Sequence, residues 1–268
     1  MTRLCARYGV SRAGYYAWRR RVPSAHAEQD RALLERIHQI FRAHHGAYGS
    51  PRVQEALATA GIAVSRRRVA RLMRDAGLRG RVVQIYRANP GMHRLFGQHP
   101  NRVRGTRVTR RNQVWVGDIT YLRVAQRWWF LAVVMDQHSR RVLAWSLAGR
   151  RDTRLTRGVL NAAVQRRQPP AGLIFHSDRG IEYSGSAFRD RVRALGFRQS
   201  SALTGPGENA HMESFFHSLK AERLHGAKFA TIHTLRHAVK RYITYYNGAR
   251  SHSALGYRSP IEYESRIA

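Results

Sequence analysis

Cysteine is all but missing from this 268-residue chain. Cys5 stands alone, which excludes an internal disulfide framework and any zinc site built from cysteines only. Long apolar runs are missing too. The longest, Trp128 to Met135, falls far short of the ~20 residues a membrane helix needs. The N-terminus holds Arg3, Arg7 and Arg12 without an apolar stretch, so no secretory signal is expected and the protein is expected to be cytoplasmic. There is no internal repeat and no low-complexity tract. Acids are scarce: 16 Asp and Glu face 48 Lys and Arg, a net charge of +32 spread over both halves of the chain. That imbalance points to a polyanion as partner. DNA leads, because neutralising phosphates releases counterions; an anionic membrane surface is the rival, but no segment looks like an anchor. The hydrophobic fraction of 43% is enough for a real core.

The length allows about two domains, and the pattern suggests where they divide. Residues 1–80 read as helical. A short helix and a turn at Gly9-Val10 precede a helix opened by Ser11, and residues 28–43 place Leu33, Leu34, Ile37, Ile40 and Phe41 at helical spacing. Ser50 and Pro51 suit the start of a helix through Ala60, which Gly61 breaks. Ser65 can cap a further helix with Val69, Leu72 and Met73 inward and Arg66, Arg67, Arg68, Arg71 and Arg74 outward. Helix, glycine turn and arginine-studded helix is the helix-turn-helix arrangement, and Arg66, Arg67, Arg68 and Arg71 are its candidate DNA contacts; a small bundle with a solvated basic face is the plainer alternative. Residues 81–112 read as a basic linker lying along DNA. From 113 to 268 an α/β core is expected. Strands over 113–124, 127–136 and 140–147 form an antiparallel meander, followed by a helix over 153–167, a strand over 173–177, a helix over 184–195 and a short strand over 197–201. The sum is a mixed sheet with flanking helices.

Where the few acids fall is informative. Asp118 sits inside an apolar strand (VWVGDITYL), where an unpaired carboxylate is costly. Asp178 follows the apolar LIFHS, at a strand end of the kind where open α/β folds place ligands. Glu213 lies on a helix whose buried stripe is Met212, Phe215, Phe216 and Leu219, leaving Glu213, His217 and Lys220 on the other face. Three carboxylates from two strands and a helix suit a hard cation such as Mg²⁺. Taken singly, each has a plain reading as well: a paired core acid, a turn or capping residue, a surface acid.

The blocks WVGDITYL, HSDRGIEYSG and ENAHMESFFHSLKAE, in this order, resemble the signature of the DDE transposases of the IS3 family of bacterial insertion elements, within the integrase-core, RNase H-like superfamily. YGSPRV at 48–53 resembles the family's helix-turn-helix segment and YYNGARSHSALGYRSPIEYE its C-terminal tail, so the likeness spans nearly the whole chain. The resemblance implies an RNase H-like fold of the retroviral integrase type. It also implies Mg²⁺-dependent cleavage and strand transfer at the ends of the element (two ions, with Mn²⁺ as a substitute), with Asp118, Asp178 and Glu213 as the catalytic and metal-binding triad. Lys220 matches the basic residue seven positions after the glutamate, where it could hold a terminal phosphate. The implied partners are the terminal inverted repeats and target DNA, a second copy of the chain on DNA, and an upstream-frame (orfA) protein or fusion, since LCARYGVSRAGYYAWRRR looks like the opening of the second reading frame. The second and third carboxylates are 35 residues apart, one fewer than the family's usual separation; the shortfall is placed in residues 200–209, where Gly205-Pro206-Gly207 can absorb it. A nuclease that only hydrolyses and a non-catalytic, transposase-derived DNA-binding regulator are the two other readings.

Other residues have quieter expectations. His176 shares a strand face with Asp178, as a support for the site or as a satisfied structural histidine. His211, His217 and His225 find no fitting partners for zinc. Asp136 and Asp152 read as turn and cap, and Asn209 as the cap of the glutamate helix. Trp115, Trp128, Trp129 and Trp145 read as core rather than as base-stacking platforms, and Tyr245, Tyr246, Asn247 and Arg250 as packing of the C-terminal helix, with DNA contact the alternative.

Overall fold

Residues 1–20, 24–81, 99–202 and 208–267 are described by the computed structural model, and they divide into two units, Met1–Gly80 and Arg81–Ala268. The Gly205-Pro206-Gly207 loop and most of the expected linker, 82–98, lie outside the described residues.

The first unit holds α1 (Thr2–Arg7), α2 (Arg12–Arg19), α3 (Ala25–Ala43), α4 (Ser50–Thr59) and α5 (Arg66–Asp75). Ser11, Ser24 and Ser65 cap their helices by accepting from the backbone N–H three residues on. Ser50 does not: Gly49 holds the capping position and Ser50 is the first helical residue, with Pro51 beside it. Leu33 and Ile37 of α3, Val53 and Leu57 of α4, and Val69, Leu72 and Met73 of α5 close on Tyr48 as one core. That core leaves the arginine face of α5 outward.

The second unit is built on a five-stranded sheet in the order β3-β2-β1-β4-β5. Its strands are β1 (Val114–Val124), β2 (Arg127–Asp136), β3 (Val142–Ala148), β4 (Ile174–Ser177) and β5 (Arg198–Ser201). The first three form the expected antiparallel meander, while β4 and β5 run parallel to β1. Alternation along the strands sends side chains to two faces. On one, Trp115, Ala132, Val134 and Phe175 meet α6 (Thr153–Arg167) and α8 (Ser186–Ala194). On the other, Val114, Val116, Val133 and Met135 meet α9 (Ala210–Leu219) and α10 (Ile232–Gly248). The chain closes with α11 (Pro260–Arg266), whose buried Glu264 accepts from Ser139 and pairs with Arg141 and Arg167.

Three expectations are revised, and one element is added. The helix expected over 184–195 is α8, and a short helix not expected, α7 (Ile181–Ser184), precedes it, with Gly185 in extended backbone at the junction. A Cβ there would come 2.8 Å from the Thr153 hydroxyl, a constraint set by a distant helix. Lys220 does not keep the α-helical period of Glu213: α9 passes at Leu219 directly into a π-helical turn, Lys220–Leu224, with Lys220 still in helical backbone. Trp128 is not core but 52% exposed: by alternation it shares the sheet face of Ala132 and Val134, whereas on the opposite face the same end of the hairpin buries Leu122 and Val124. The described part of the expected linker, 99–112, folds onto the second unit: the Arg102 N–H donates to Ser200, and Val103 and Val108 pack against the core.

Candidate active site at the ends of two parallel strands

β1 and β4 pair in parallel from Val114–Ile174 to Gly117–Ser177. The next residue on each strand is a carboxylate, Asp118 on one and Asp178 on the other. Neighbouring strands lie about 4.8 Å apart, so this register alone sets the two side by side where β4 ends and β1 continues. Position 117 has no room for a side chain: a Cβ would stand 2.6 Å from the Phe175 ring. The Asp178 carboxylate accepts from the Gly180 N–H at 3.1 Å, which fixes one oxygen toward the following turn.

Glu213 comes in from α9, and the start of that helix is tied to the same strand. Asn209 occupies the capping position without capping; its amide instead donates to the Gly117 carbonyl at 3.2 Å, across 92 residues of sequence. His176, fully buried, bridges Ser200 of β5 at 2.9 Å and the Glu208 carbonyl at 3.1 Å, and so braces the segment entering α9 from behind. It is a satisfied structural histidine, and burial lowers its pKa.

The electrostatics follow from this geometry. Burial, then the Asp178 carboxylate and more weakly that of Glu213, push the Asp118 carboxyl well above its ordinary value, against the pull of the Ile119 N–H and Arg151. Burial and the same two aspartates raise the Tyr183 phenol. Lys220 reaches the site from the π-helical turn: burial lowers its pKa while Asp118 draws it back up, and its ammonium lies 5.2 Å from the centre of the Tyr121 ring. Three carboxylates thus share one end of the sheet with a lysine beside them. Among the described residues no three His, Cys, Asp or Glu side chains converge on a single point. His211, His217 and His225 form no such group, and burial and Arg140 lower the His211 pKa to about 4.

Sequence reasoning missed a second layer. Glu182, 3% exposed, pairs with Arg151 at 2.5 Å, next to Gly180 and Asp178. Glu182 was in view inside HSDRGIEYSG, but nothing local marks Arg151, 31 residues earlier, as its partner. Of the four candidate arginines on α5, Arg68 and Arg71 are held by Asp30 of α3 at 2.7 and 2.6 Å, whereas Arg66 and Arg67 are exposed and form no ion pair among the described residues. Asp136 and Asp152 serve as turn and cap, and Tyr246, Asn247 and Arg250 are buried in the C-terminal packing.

Comparison with known proteins agrees with this architecture. An HTH-like domain matches residues 28–86, and integrase core domain models match residues 108–205 and 213–267. The transposase for insertion sequence element IS904 of Lactococcus lactis is 34% identical over 91% of this chain and 98% of its own length. The InsF transposase for IS3A of Escherichia coli is 33% identical over 98% of this chain and 93% of its own. Among solved structures, a simian T-cell lymphotropic virus intasome chain overlaps 78% of this chain and 69% of its own length at a TM-score of 0.49 and 16% identity, a likeness that adds no weight beside the sequence relatives. A helix-turn-helix-like unit, an integrase core and full-length relatives of this kind make the chain a member of the IS3-family transposases.

Proposed function

We propose that the chain cuts and joins the ends of its own insertion element, with Asp118, Asp178 and Glu213 as the catalytic carboxylates. The observation that supports this most directly is the β1–β4 register, which sets two aspartates at adjacent strand ends with the charge of Glu213 felt at Asp118. The donor set fits a hard cation, because all three are carboxylate oxygens and a cation offsets the burial and the repulsion that raise Asp118. It fits Mg²⁺ in particular, which takes one or two carboxylates and leaves its other positions to water and phosphate. When bound, such ions turn a water or a 3′-hydroxyl into a nucleophile at neutral pH and stabilise the leaving oxygen.

In this reading water attacks a phosphodiester at the element end, and the P–O3′ bond breaks to free a 3′-hydroxyl. That hydroxyl then attacks a target phosphodiester, so one P–O bond forms as one breaks and neither ATP nor a covalent enzyme intermediate is needed. The chain's own part is positioning and charge. Asn209 and the cramped Gly117 hold strand and helix in register, Lys220 offers a cation to the scissile strand, and the Arg151–Glu182 pair keeps an arginine near the site without closing it. The exposed Arg66 and Arg67 contact the phosphates of the inverted repeats. Joining two ends requires them to be held together, which a second copy on DNA supplies; an upstream-frame partner completes end recognition.

The test uses purified chain and labelled DNA carrying the element ends in Mg²⁺ or Mn²⁺, with wild type beside Glu213→Gln and both 3′-end cleavage and joining scored. Joining by wild type alone supports the proposal. Cleavage without joining gives the nuclease, binding with neither product gives the regulator, and joining by Glu213→Gln sinks the triad.

A further inference from the structure

We propose that the β1–β2 hairpin carries a stacking platform for an unpaired nucleobase beside the carboxylates, with Trp128 as the exposed face, Tyr121 as its support, and Arg123 and Lys220 as cations for the adjoining phosphates. Trp128 is the feature that asks for a ligand. It is 52% exposed at the start of a strand that ends in full burial, and a bare indole is a poor group to leave in water. It is also held in place. The Tyr121 ring meets it edge-on, with centroids 5.3 Å apart and planes at 88°. Arg123, its direct partner across the hairpin, puts a guanidinium 5.8 Å from the Trp128 ring centre. Lys220 stands 5.2 Å from the Tyr121 ring centre, within electrostatic reach of Asp118. Lys220, from the π-helical turn, thus links Asp118 to Tyr121, and the Trp128–Arg123 pair lies beyond Tyr121 toward the hairpin turn. The hairpin closes in two residues, Ala125 and Gln126, at φ of 43° and 66°, so the platform does not hang on a long loop.

Aromatic faces interleaved with cations are the chemistry that binds single-stranded nucleic acid: bases stack on the rings while Lys and Arg follow the backbone. Inside a duplex the base faces are already stacked, so an isolated protein ring gains most from a base that has left its pair, as at a strand end. The position of that strand end beside the triad rests on the function proposed above. The stacking itself does not, and it is measured without divalent metal.

Full-length chain in EDTA is titrated by anisotropy against a labelled blunt duplex and the same duplex with a short single-stranded 3′ tail, using wild type, Trp128→Ala, Trp128→Phe and Glu213→Gln. Base–aromatic stacking predicts that Trp128→Ala loses about 5- to 150-fold on the tailed probe and stays within about twofold on the blunt one. Trp128→Phe keeps most of the tail preference, and a 2-aminopurine in the tail is quenched by wild type but not by Trp128→Ala. Equal losses on both probes, no loss, or a Trp128→Phe variant as weak as Trp128→Ala overturns the platform. So does light scattering in which Trp128→Ala breaks a self-association of the DNA-free protein, which assigns the surface to a second copy. Glu213→Gln retains the tail preference, so an inactive triad and an absent platform give different results.

Discussion

Replacing Arg250 by Met tests whether the C-terminal tail clamps the turn that presents Lys220. Arg250 is 5% exposed and Glu222, in the π-helical turn, 8%. The guanidinium donates to Glu222 from Nε at 2.9 Å and Nη2 at 2.6 Å and to the Ser218 hydroxyl at 3.2 Å, while the Tyr242 hydroxyl donates to the same carboxylate at 3.0 Å. Burial alone would weaken the arginine's charge, but its hydrogen bonds to Glu222 outweigh that and raise its pKa. Removing one partner of such a pair leaves a buried carboxylate uncompensated, at about 3–5 kcal/mol. For a unit of this size each kcal/mol moves the melting point by about 2–4 °C, so Arg250→Met should melt about 6–20 °C lower. Removing both charges in Glu222→Leu/Arg250→Met should recover most of the loss, because the desolvation cost goes with them. Circular-dichroism melts of the four proteins give the cycle, and DNA affinity is measured well below the lowest melting point. A single variant within about 2 °C of wild type, or a double variant no better than the sum of the singles, refutes the clamp. Lost affinity with an unchanged melt would make Arg250 a DNA contact instead.

Asp118→Asn should raise the melting point at pH 7 in EDTA. Its folded pKa is raised above the unfolded value, so the folded state binds the proton more tightly and wild type loses stability as pH climbs through that window; the difference should vanish toward pH 3, and added Mg²⁺ should stabilise wild type but not the variant. A variant that melts no higher than wild type at pH 7 contradicts the crowding of carboxylates. On α5, Arg66→Ala and Arg67→Ala should each lower the slope of log affinity against log salt by about one and leave the melt unchanged. Arg68→Ala and Arg71→Ala should lower the melting point instead, because they take hydrogen-bonded cations away from Asp30; equal salt slopes for all four variants would refute the division.

Elements whose signals are local were legible in the sequence. β2 runs from Arg127 to Asp136 and α6 from Thr153 to Arg167, as apolar patterning and flanking breakers predict. The meander followed, and with it the expectation that Asp118 and Asp178 lie at the sheet. What local signals do not carry is the partner of a polar side chain. Asn209 is a good capping residue by type, yet its amide goes to Gly117, which is near only because β1 and α9 pack together. Arg68 and Arg71 look like free basic side chains until α3 brings Asp30 against them, 38 and 41 residues away. Trp128 reads as core because alternation says which face a residue takes but not how far the covering helices extend.

The distribution of acids shows what is unusual about the candidate site. In a chain with three basic residues for every acid, a carboxylate has no difficulty finding an arginine. Asp30, Glu182, Glu222 and Glu264 have each done so, and Asp136 and Asp152 accept from backbone N–H groups at a turn and a helix start. Among the described residues Asp118 and Asp178 form no ion pair, although they stand beside each other and Arg151 is near enough to act on Asp118. Arg151 is instead engaged by Glu182, a buried acid one turn beyond Asp178. An arginine bridging the two aspartates would lower the repulsion and stabilise the fold, and it would also occupy the space a metal ion and a phosphate need. Engaging that arginine elsewhere keeps the two aspartates crowded and the Asp118 carboxyl raised, a local cost in stability that the proposed metal-dependent function would account for. A purely structural role for Asp118 and Asp178 would gain from the bridge; a metal-dependent site would be blocked by it.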